Sequence, residues 1–363
     1  MAVALFERER KIRVAVVGYG WVTKNFHTPL INSVKGLDFS VIGTNRIAQV
    51  QAECPTFRVL PSEEAAIDDR VDLVVVAGVN ADHVRLAKIA LSAGKHVVVE
   101  KPFTPTLAEA RELAALADAN NCLLSVFQNR RWDSDFLTVK DAIANGVLGS
   151  VLHFESHIDR YAPAVPNAWR EQPTPAGGTW FDLGPHVADQ ALVLFGIPKT
   201  ITANFAQQRD GAQTDDWFNV VFEYDDKLRV ILHAAQYVVG GSFRFAVHGT
   251  AASLIKYGAD PQEAQMINGG TPSDADWGID PDDAWLYKSS DRTQRELLPA
   301  SRGDQGQYYA SIERALRGQG ANPVTPQQAV VLISVLETAA RAAATKTTLT
   351  LELSDAERKA FSI

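Results

Sequence analysis

Five short apolar runs, separated by longer stretches with helical periodicity, most constrain what the first third of this chain can fold into. The runs lie at residues 14–17, 39–43, 71–76, 96–99 and 123–126. Because each run is apolar on both faces, it suits a buried parallel sheet covered by helices. Two stretches between the runs, 82–93 and 106–120, are predicted helices, and the second starts with the capping-box pair Thr106 and Glu109. The alternation predicts a doubly wound α/β domain.

A glycine-rich turn follows the first run directly. Gly18 and Gly20 match the first two glycines of G-x-G-x-x-G, whereas Thr23 stands at the third position, so we expect the following helix to pack slightly apart from the strand. The first glycine permits a tight turn, and the second lets the backbone approach a pyrophosphate. The pattern predicts a Rossmann domain that binds a nicotinamide dinucleotide; a strand-to-helix turn without ligand is the alternative. The predicted cofactor-binding residues here are Gly18, Tyr19, Gly20, Trp21 and Val22.

The end of the second run bears on which dinucleotide binds. NAD-binding folds usually place an acidic residue there to hold the adenosine ribose hydroxyls. This chain has Thr44, Asn45 and Arg46 and no acid. Arg46 offers a guanidinium for a 2′-phosphate, and the other two side chains offer donors. We therefore predict NADP as the cofactor in preference to NAD, the alternative being that Arg46 is a solvated loop cation.

The character of the sequence changes after about residue 150. Strand-like segments occur at 151–161, 201–208, 216–224, 228–238, 243–249 and 253–257. Their short spacing predicts an α+β domain with a large, mostly antiparallel sheet, open on one face or packed on helices. Helices are predicted at 179–195 and 325–344, and a long loop at 268–283. With 363 residues, two domains are expected: a NAD(P)-binding domain at 1–127 and a substrate-binding and oligomerisation domain at 128–363.

Two segments carry candidate catalytic residues. Lys101, between Glu100 and Pro102, ends the fourth apolar run on the ligand side of the predicted sheet; it suits orienting a substrate hydroxyl, or it is a surface lysine before a turn. Asp182 and His186 lie four residues apart on a predicted helix. An imidazole oriented by a carboxylate suits the base that takes a proton as an alcohol is oxidised. A purely structural His–Asp pair is the alternative.

Taken together, these motifs resemble the glucose–fructose oxidoreductase / inositol dehydrogenase (Gfo/Idh/MocA) family over nearly the whole chain, and within it the NADP-dependent scyllo-inositol dehydrogenases. The resemblance rests on the glycine turn and on three further motifs, whose residues are Ala77, Asn80 and His83, then Glu100, Lys101 and Pro102, then Asp182, Gly184 and His186. It implies that Lys101, Asp182 and His186 serve catalysis. It also implies cofactor contacts from Ala77, Asn80, His83, Glu100, Lys101 and Gln128.

The resemblance further implies a polyol or sugar substrate and an open-faced second sheet used for oligomer contacts, hence a homodimer or homotetramer. Candidate substrate-binding residues are Asn129, Arg130, Trp132, Trp169 and Arg170. The alternative for Arg130 is that it pairs with Asp133 or Asp135. The alternative for Trp169 and Arg170 is that they anchor a loop. Histidines 153, 157 and 248 are interpreted as packed or solvated strand residues, and no metal ligands are assigned.

Composition excludes several classes. The formal net charge of −8 argues against nucleic acid and anionic membranes as partners. Cys54 and Cys122 have no metal-ligand spacing and indicate thiols in a reducing compartment. No apolar stretch approaches the roughly 18–20 residues that span a bilayer, so a cytoplasmic location is expected. Two other functions remain open: an NAD-recycling glycoside hydrolase of the same fold, and a non-enzymatic dinucleotide sensor.

Overall fold

A computed structural model describes residues 6, 10–166, 168, 171–225 and 227–362 of the chain. Two compact units are formed, and neither is one continuous stretch of chain. The first comprises residues 1–129, 262–277 and 304–333, and the second comprises 130–261, 278–303 and 334–363. Two segments from the later part of the sequence therefore complete the first unit. The expected division into a NAD(P)-binding domain at 1–127 and a second domain at 128–363 stays a prediction.

The strands and helices are numbered in order along the described chain. The strands are β1 Ile12–Val17, β2 Leu37–Gly43, β3 Arg58–Leu60, β4 Leu73–Val76, β5 His96–Val99, β6 Leu124–Val126, β7 Val151–His157, β8 Thr200–Ala206, β9 Trp217–Glu223, β10 Arg229–Ala235, β11 Phe245–Gly249, β12 Ser253–Lys256, β13 Ala284–Tyr287 and β14 Arg295–Leu298. The α-helices are α1 Thr28–Asn32, α2 Ile47–Glu53, α3 Ser62–Ile67, α4 Asn80–Ser92, α5 Leu107–Ala119, α6 Ser134–Ala144, α7 Thr179–Phe195, α8 Gln262–Ile267, α9 Gln307–Leu316, α10 Pro326–Thr345 and α11 Asp355–Arg358.

The sheet of the first unit has, among the described residues, six strands in the order β3-β2-β1-β4-β5-β6, all parallel. Every residue of β4 and β5 is buried, as apolar runs covered by helices on both faces require. Because the order reverses beside β1, the carboxyl ends of β1 and β4 flank the crevice where such sheets bind ligands. The predicted Rossmann domain is confirmed.

The sheet of the second unit has eight described strands, ordered β14-β13-β12-β11-β7-β10-β9-β8. All neighbours are antiparallel except β7 and β10, which run parallel. Buried and part-exposed residues alternate along β9, which is the pattern of a sheet with one face on a core. The predicted α+β domain with a large, mostly antiparallel sheet is therefore confirmed.

Several local predictions are confirmed and others needed correction. The Thr106 side chain and Glu109 form the capping box that starts α5. The helix expected at 179–195 is α7, and residues 268–283 contain no described helix or strand. The expectation that no apolar stretch is long enough to span a bilayer is wrong by length and composition alone. Helix α10 has 20 residues and contains an 18-residue stretch with a mean hydropathy of 1.2, but 67% of that stretch is buried within the protein, which is typical of a core helix.

Candidate functional site

The turn after β1 places a glycine where no other residue fits. Gly18 has φ +101°, which L side chains rarely adopt, and its backbone N–H donates to the carbonyl of Gly43 at 2.8 Å. A Cβ built on Gly18 would lie 2.6 Å from the nitrogen of Gly78 and 2.7 Å from the carbonyl of Ala77. The glycine therefore allows the chain to turn directly against the end of β4.

The second glycine of the turn has a different environment. A Cβ built on Gly20 would meet no described protein atom within 4 Å. The fold alone does not require a glycine there, so the absence of a side chain suits close approach by a ligand. At the third position Thr23 is fully buried and its hydroxyl donates to the Gly18 carbonyl, and a π-helical turn runs through Thr23–His27. Turns of this kind occur frequently at functional sites.

The carboxyl end of β2 carries the residues predicted to select the cofactor. The exposed Arg46 guanidinium donates to the carbonyl of Tyr19, which places its charge at the glycine turn. Thr44 is 5% exposed, and its hydroxyl accepts from the Arg46 backbone N–H at 3.2 Å. Asn45 beside it is exposed. This edge thus offers a guanidinium, a hydroxyl and an amide, while residues 44–46 supply no carboxylate.

Lys101 follows β5 in a segment fixed by a buried network of charged and polar groups. The Glu100 carboxylate accepts the Lys101 backbone N–H at 2.8 Å, and its other oxygen lies 3.0 Å from Nε2 of His27. Nδ1 of His27 lies 2.6 Å from the hydroxyl of Tyr309. Burial raises the pKa of Glu100, but His27 and Lys101 outweigh burial, so the pKa lies below its ordinary value. Glu100 is therefore a buried anion that orients the backbone of Lys101.

His83 joins two loops at this edge of the sheet. It is 1% exposed, and its Nδ1 lies 2.9 Å from the carbonyl of Pro102, while Nε2 lies 3.3 Å from that of Gly78. Burial lowers the pKa of His83, so the imidazole is neutral and donates its one N–H over the shorter distance. Nearby, Asn80 is 6% exposed at the start of α4, and Ala77 is 8% exposed. His83 therefore fixes the segment carrying Lys101 relative to the end of β4.

Gln128 shows a buried amide without a partner. The side chain is 2% exposed, and neither its oxygen nor its nitrogen makes a hydrogen bond to any described residue. Leaving a buried amide unsatisfied costs about 1–3 kcal/mol, so such a group calls for a partner outside the chain. The carboxamide of a nicotinamide ring has both the donor and the acceptor that this amide requires.

A 3₁₀ turn at Asn129–Trp132 carries three of the predicted substrate-binding residues. Nδ2 of Asn129 donates to the side chain of Gln305 at 2.8 Å, so this amide is used within the first unit. Arg130 donates to the buried Asp133 carboxylate at 3.1 Å, as the alternative interpretation held. Trp132 is part-exposed. The predicted residues Trp169 and Arg170 lie outside the described residues.

Asp182 and His186 lie on one face of α7, one helical turn apart. His186 is 5% exposed and Asp182 is part-exposed. Gly178 is the N-cap residue before α7; it has φ +91°, and a Cβ there would clash with the carboxylate of Asp215. The same carboxylate accepts the backbone N–H of Trp180 at 2.7 Å. Burial raises the pKa of Asp215 to about 6.

Sequence reasoning missed the groups that hold these segments in place. Within the second unit Arg131 makes two contacts of 2.7 Å with the Asp189 carboxylate on α7. The buried Arg244 donates to Asp135 at 3.0 Å and to Gln190 at 2.8 Å. The partners are 58, 109 and 54 residues apart. A periodicity of 2 or 3.6 residues carries no signal for such pairs.

The sheet order, the glycine turn and the unsatisfied Gln128 amide define a protein that binds a nicotinamide dinucleotide. Two models of one protein family match the two parts of the chain. The oxidoreductase-family NAD-binding Rossmann fold matches residues 12–128, and the C-terminal alpha/beta domain of the same family matches residues 140–351. The chain belongs to the Gfo/Idh/MocA oxidoreductase family, as its motifs predicted.

Relatives of nearly the same length support the assignment. An uncharacterised oxidoreductase from Escherichia coli, YdgJ, is 46% identical over 343 residues, covering 94% of this chain and 99% of its own. The scyllo-inositol 2-dehydrogenase (NADP(+)) IolW from Bacillus subtilis is 37% identical over 358 residues, covering 96% and 99%. A crystal structure from Klebsiella pneumoniae, itself assigned only provisionally as an oxidoreductase, superposes with a TM-score of 0.90 at 48% identity, covering 97% and 98%. The protein is therefore an oxidoreductase enzyme of this family.

Proposed function

We propose that the protein catalyses the reversible, NADP-linked oxidation of a secondary alcohol on a cyclic polyol or sugar. The observation that carries the proposal is the cationic end of β2, where the Arg46 guanidinium lies at the glycine turn and residues 44–46 supply no carboxylate. A 2′-phosphate is a dianion that a guanidinium binds through paired hydrogen bonds. The similarity to IolW, whose name gives both NADP and scyllo-inositol, supports the cofactor and the substrate class.

The cofactor preference has a direct test. In an Arg46→Ala variant we expect the KM for NADP to rise about 10- to 150-fold, because one charge-assisted contact contributes about 1.5–3 kcal/mol, while the KM for NAD barely changes. Arg58→Ala is the matched control, since Arg58 is a half-exposed arginine of the same unit that pairs with Asp68. A wild-type KM for NADP no lower than that for NAD would refute the preference.

The remaining cofactor contacts follow from the geometry of the first unit. Gly18 and Gly20 would admit the pyrophosphate, and the Gln128 amide would bind the carboxamide. When bound, a nicotinamide dinucleotide supplies the acceptor for the hydride that leaves the alcohol carbon. Glu100 and His83 hold the Lys101 segment, so the lysine backbone is fixed before substrate arrives.

The proposed catalytic roles are assigned from chemistry. Lys101 would hold the reacting hydroxyl through its ammonium group, and His186 would accept the hydroxyl proton. Asp182 would orient the imidazole and stabilise the charge it gains. Lys101→Ala should lower kcat by orders of magnitude while cofactor affinity stays nearly intact, and Lys88→Ala, at a surface lysine paired with Glu112, should do neither. Turnover near the wild-type rate in the Lys101 variant would refute the mechanism.

Reduction of NADP and of NAD, followed by absorbance, would be measured with a panel of inositols, aldoses and sugar acids. Formation of NADPH with one polyol class would support the reaction, the cofactor and the substrate class together. No reduction across the panel, with NADP binding still seen by fluorescence, would refute the proposed reaction and leave the nucleotide site standing. Assembly into a homodimer or homotetramer through the open sheet face, and a cytoplasmic location, are further proposals that light scattering and cell fractionation would test.

A further inference from the structure

Two neighbouring strands of the second unit bring histidines from distant parts of the sequence together. β7 and β10 run parallel, and their register pairs His157 with His233. Both side chains lie on the part-exposed face, because residues alternate between buried and part-exposed along each strand. Asp159 follows β7 by two residues, and its side chain is only 4% exposed. The two rings have centroids 4.8 Å apart.

The nitrogen–oxygen distances within this cluster are longer than those of most hydrogen bonds, although the contact between His157 and Asp159 still counts as one. Nδ1 of His157 lies 3.3 Å from one oxygen of Asp159, and Nε2 of His233 lies 3.5 Å from the other. One nitrogen or oxygen from each residue falls within 4.8 Å of the others. Hydrogen bonds from nitrogen to oxygen are most often about 2.9 Å long. Ligand atoms around a tetrahedral Zn²⁺ with bonds near 2.1 Å lie about 3.4 Å apart.

Neighbouring groups support two of the three side chains in the way metal ligands are usually supported. Nε2 of His157 lies 2.8 Å from the Glu155 carboxylate, which leaves Nδ1 as the nitrogen that faces the cluster. Ser242 donates its hydroxyl to Asp159 at 2.6 Å. Histidines that bind metals commonly pair their second nitrogen with a carboxylate, which orients the ring and increases its basicity.

The charge and hydrogen bonding of the cluster are also incomplete without a cation. The carboxylates of Asp159 and Glu155 stand beside the two imidazoles. One oxygen of Asp159 is buried and makes no hydrogen bond to any residue that the structure describes. A buried carboxylate oxygen of this kind is stabilised by a cation.

We propose that His157, Asp159 and His233 bind one divalent transition-metal ion, for which Zn²⁺ is the best match, with a water completing the coordination. Two imidazoles and one carboxylate are ligands that Zn²⁺ binds commonly, and a part-exposed site leaves room for the fourth ligand. The ion would clip the end of β7 to the end of β10. The sequence assigned no metal ligands, because His157 and His233 are 76 positions apart and share no motif spacing. The site uses none of the residues proposed for the dehydrogenase reaction.

The test is a competition titration of Zn²⁺ against a chromophoric chelator with the full chain, after stripping by EDTA. We expect one tight Zn²⁺ site per chain. Its affinity should fall at least about 100-fold in the Asp159→Asn and His233→Ala variants. Glu155→Gln should weaken binding about 10- to 100-fold, as is usual when a group behind a metal ligand is removed. His248→Ala is the matched control, since His248 is an exposed histidine of the same sheet that contacts Ser253. The His248→Ala variant should bind Zn²⁺ as tightly as the wild type does.

A wild-type chain that binds Zn²⁺ no better than the His233 variant would overturn the proposal. Equal loss in the His248 control would also overturn it, because binding would then come from scattered surface histidines. If the variants fail to fold by circular dichroism, the wild type still decides through Co²⁺, whose visible absorption bands distinguish four- or five-coordination from hydration by water. Binding should weaken in acid, because protons compete with the ion for its ligand atoms. Co²⁺ bands identical to those of the free ion would overturn the site.

Discussion

The two glycines of the first turn should fail in opposite ways when each is replaced by alanine. At Gly18 the backbone has φ +101°, which costs an L residue about 1–2 kcal/mol. The new Cβ would also lie within 2.7 Å of backbone atoms of Ala77 and Gly78, and overpacking of this kind costs about 1–3 kcal/mol. The free energy of unfolding of Gly18→Ala should therefore fall by about 2–5 kcal/mol.

At Gly20 the added methyl meets no described atom within 4 Å, so the free energy of unfolding should change little. The methyl would instead occupy the side from which a pyrophosphate approaches the backbone. Loss of one charge-assisted hydrogen bond corresponds to a dissociation constant for NADPH that is about 10- to 150-fold higher. Gly20→Ala should therefore fold normally and bind the dinucleotide poorly.

Thermal unfolding without ligand and NADPH fluorescence titration, run on both variants and the wild type, measure the two effects separately. Gly94→Ala provides a reference for backbone strain alone, because Gly94 has φ +73° and a Cβ there would meet no described atom within 4 Å. It should lose only the conformational part of the Gly18 penalty. The reasoning is refuted if Gly20→Ala unfolds as early as Gly18→Ala, or if it binds NADPH as tightly as the wild type.

Three further substitutions test buried charges, each by urea unfolding. Asp215 has a pKa of about 6 against an ordinary 3.8, so the free energy of unfolding falls by up to about 3 kcal/mol as the pH rises from 4 to above 6. The Asp215→Asn variant should therefore be stabilised relative to the wild type more at pH 8 than at pH 4. An equal stability difference at the two pH values would contradict the raised pKa. Glu100→Gln should lower the free energy of unfolding at pH 7 by about 1–3 kcal/mol. This deficit should shrink as the pH falls through the lowered pKa of Glu100, and a deficit independent of pH would show that the charge of Glu100 does not contribute. Arg244→Met leaves Asp135 as an uncompensated buried anion and should lower the free energy of unfolding by about 3–5 kcal/mol. The double variant Arg244→Met with Asp135→Asn should restore part of that loss. No recovery in the double variant would show that packing dominates.

Strands and helices with strong local signals were predictable from the sequence. β5 is a four-residue apolar run that the sheet buries completely. The capping box that starts α5 is visible in the sequence as Thr106 followed three residues later by Glu109. β3, β13 and β14 were missed. β3 has three residues and β13 has four, which is too few to establish a period, and β14 is almost wholly exposed. The local pattern identifies an element only when burial selects its residues.

The candidate site was predictable where a motif is contiguous and not where it is assembled by folding. The glycine turn, the segment at Lys101 and the pair on α7 could be read directly. The His27 side chain, however, contacts Glu100 and Tyr309, which lie 73 and 282 residues away. Thr23 shows a second limit, because its departure from glycine was visible, whereas its hydrogen bond to Gly18 and the π-helical turn depend on the folded backbone.

The discontinuity of the first unit has a consequence for the order in which the protein folds during synthesis. Tyr308 and Tyr309 are fully buried against Phe127, so this part of the core lacks two aromatic rings until α9 exists. The unit begins at residue 1 and is complete only at residue 333, which is 204 residues after its first segment ends at residue 129. At about 5–20 residues per second, the ribosome needs about 10–40 s to supply the missing part. During that interval the nascent chain displays an unfinished apolar surface, so we expect chaperones that act at the ribosome to bind it.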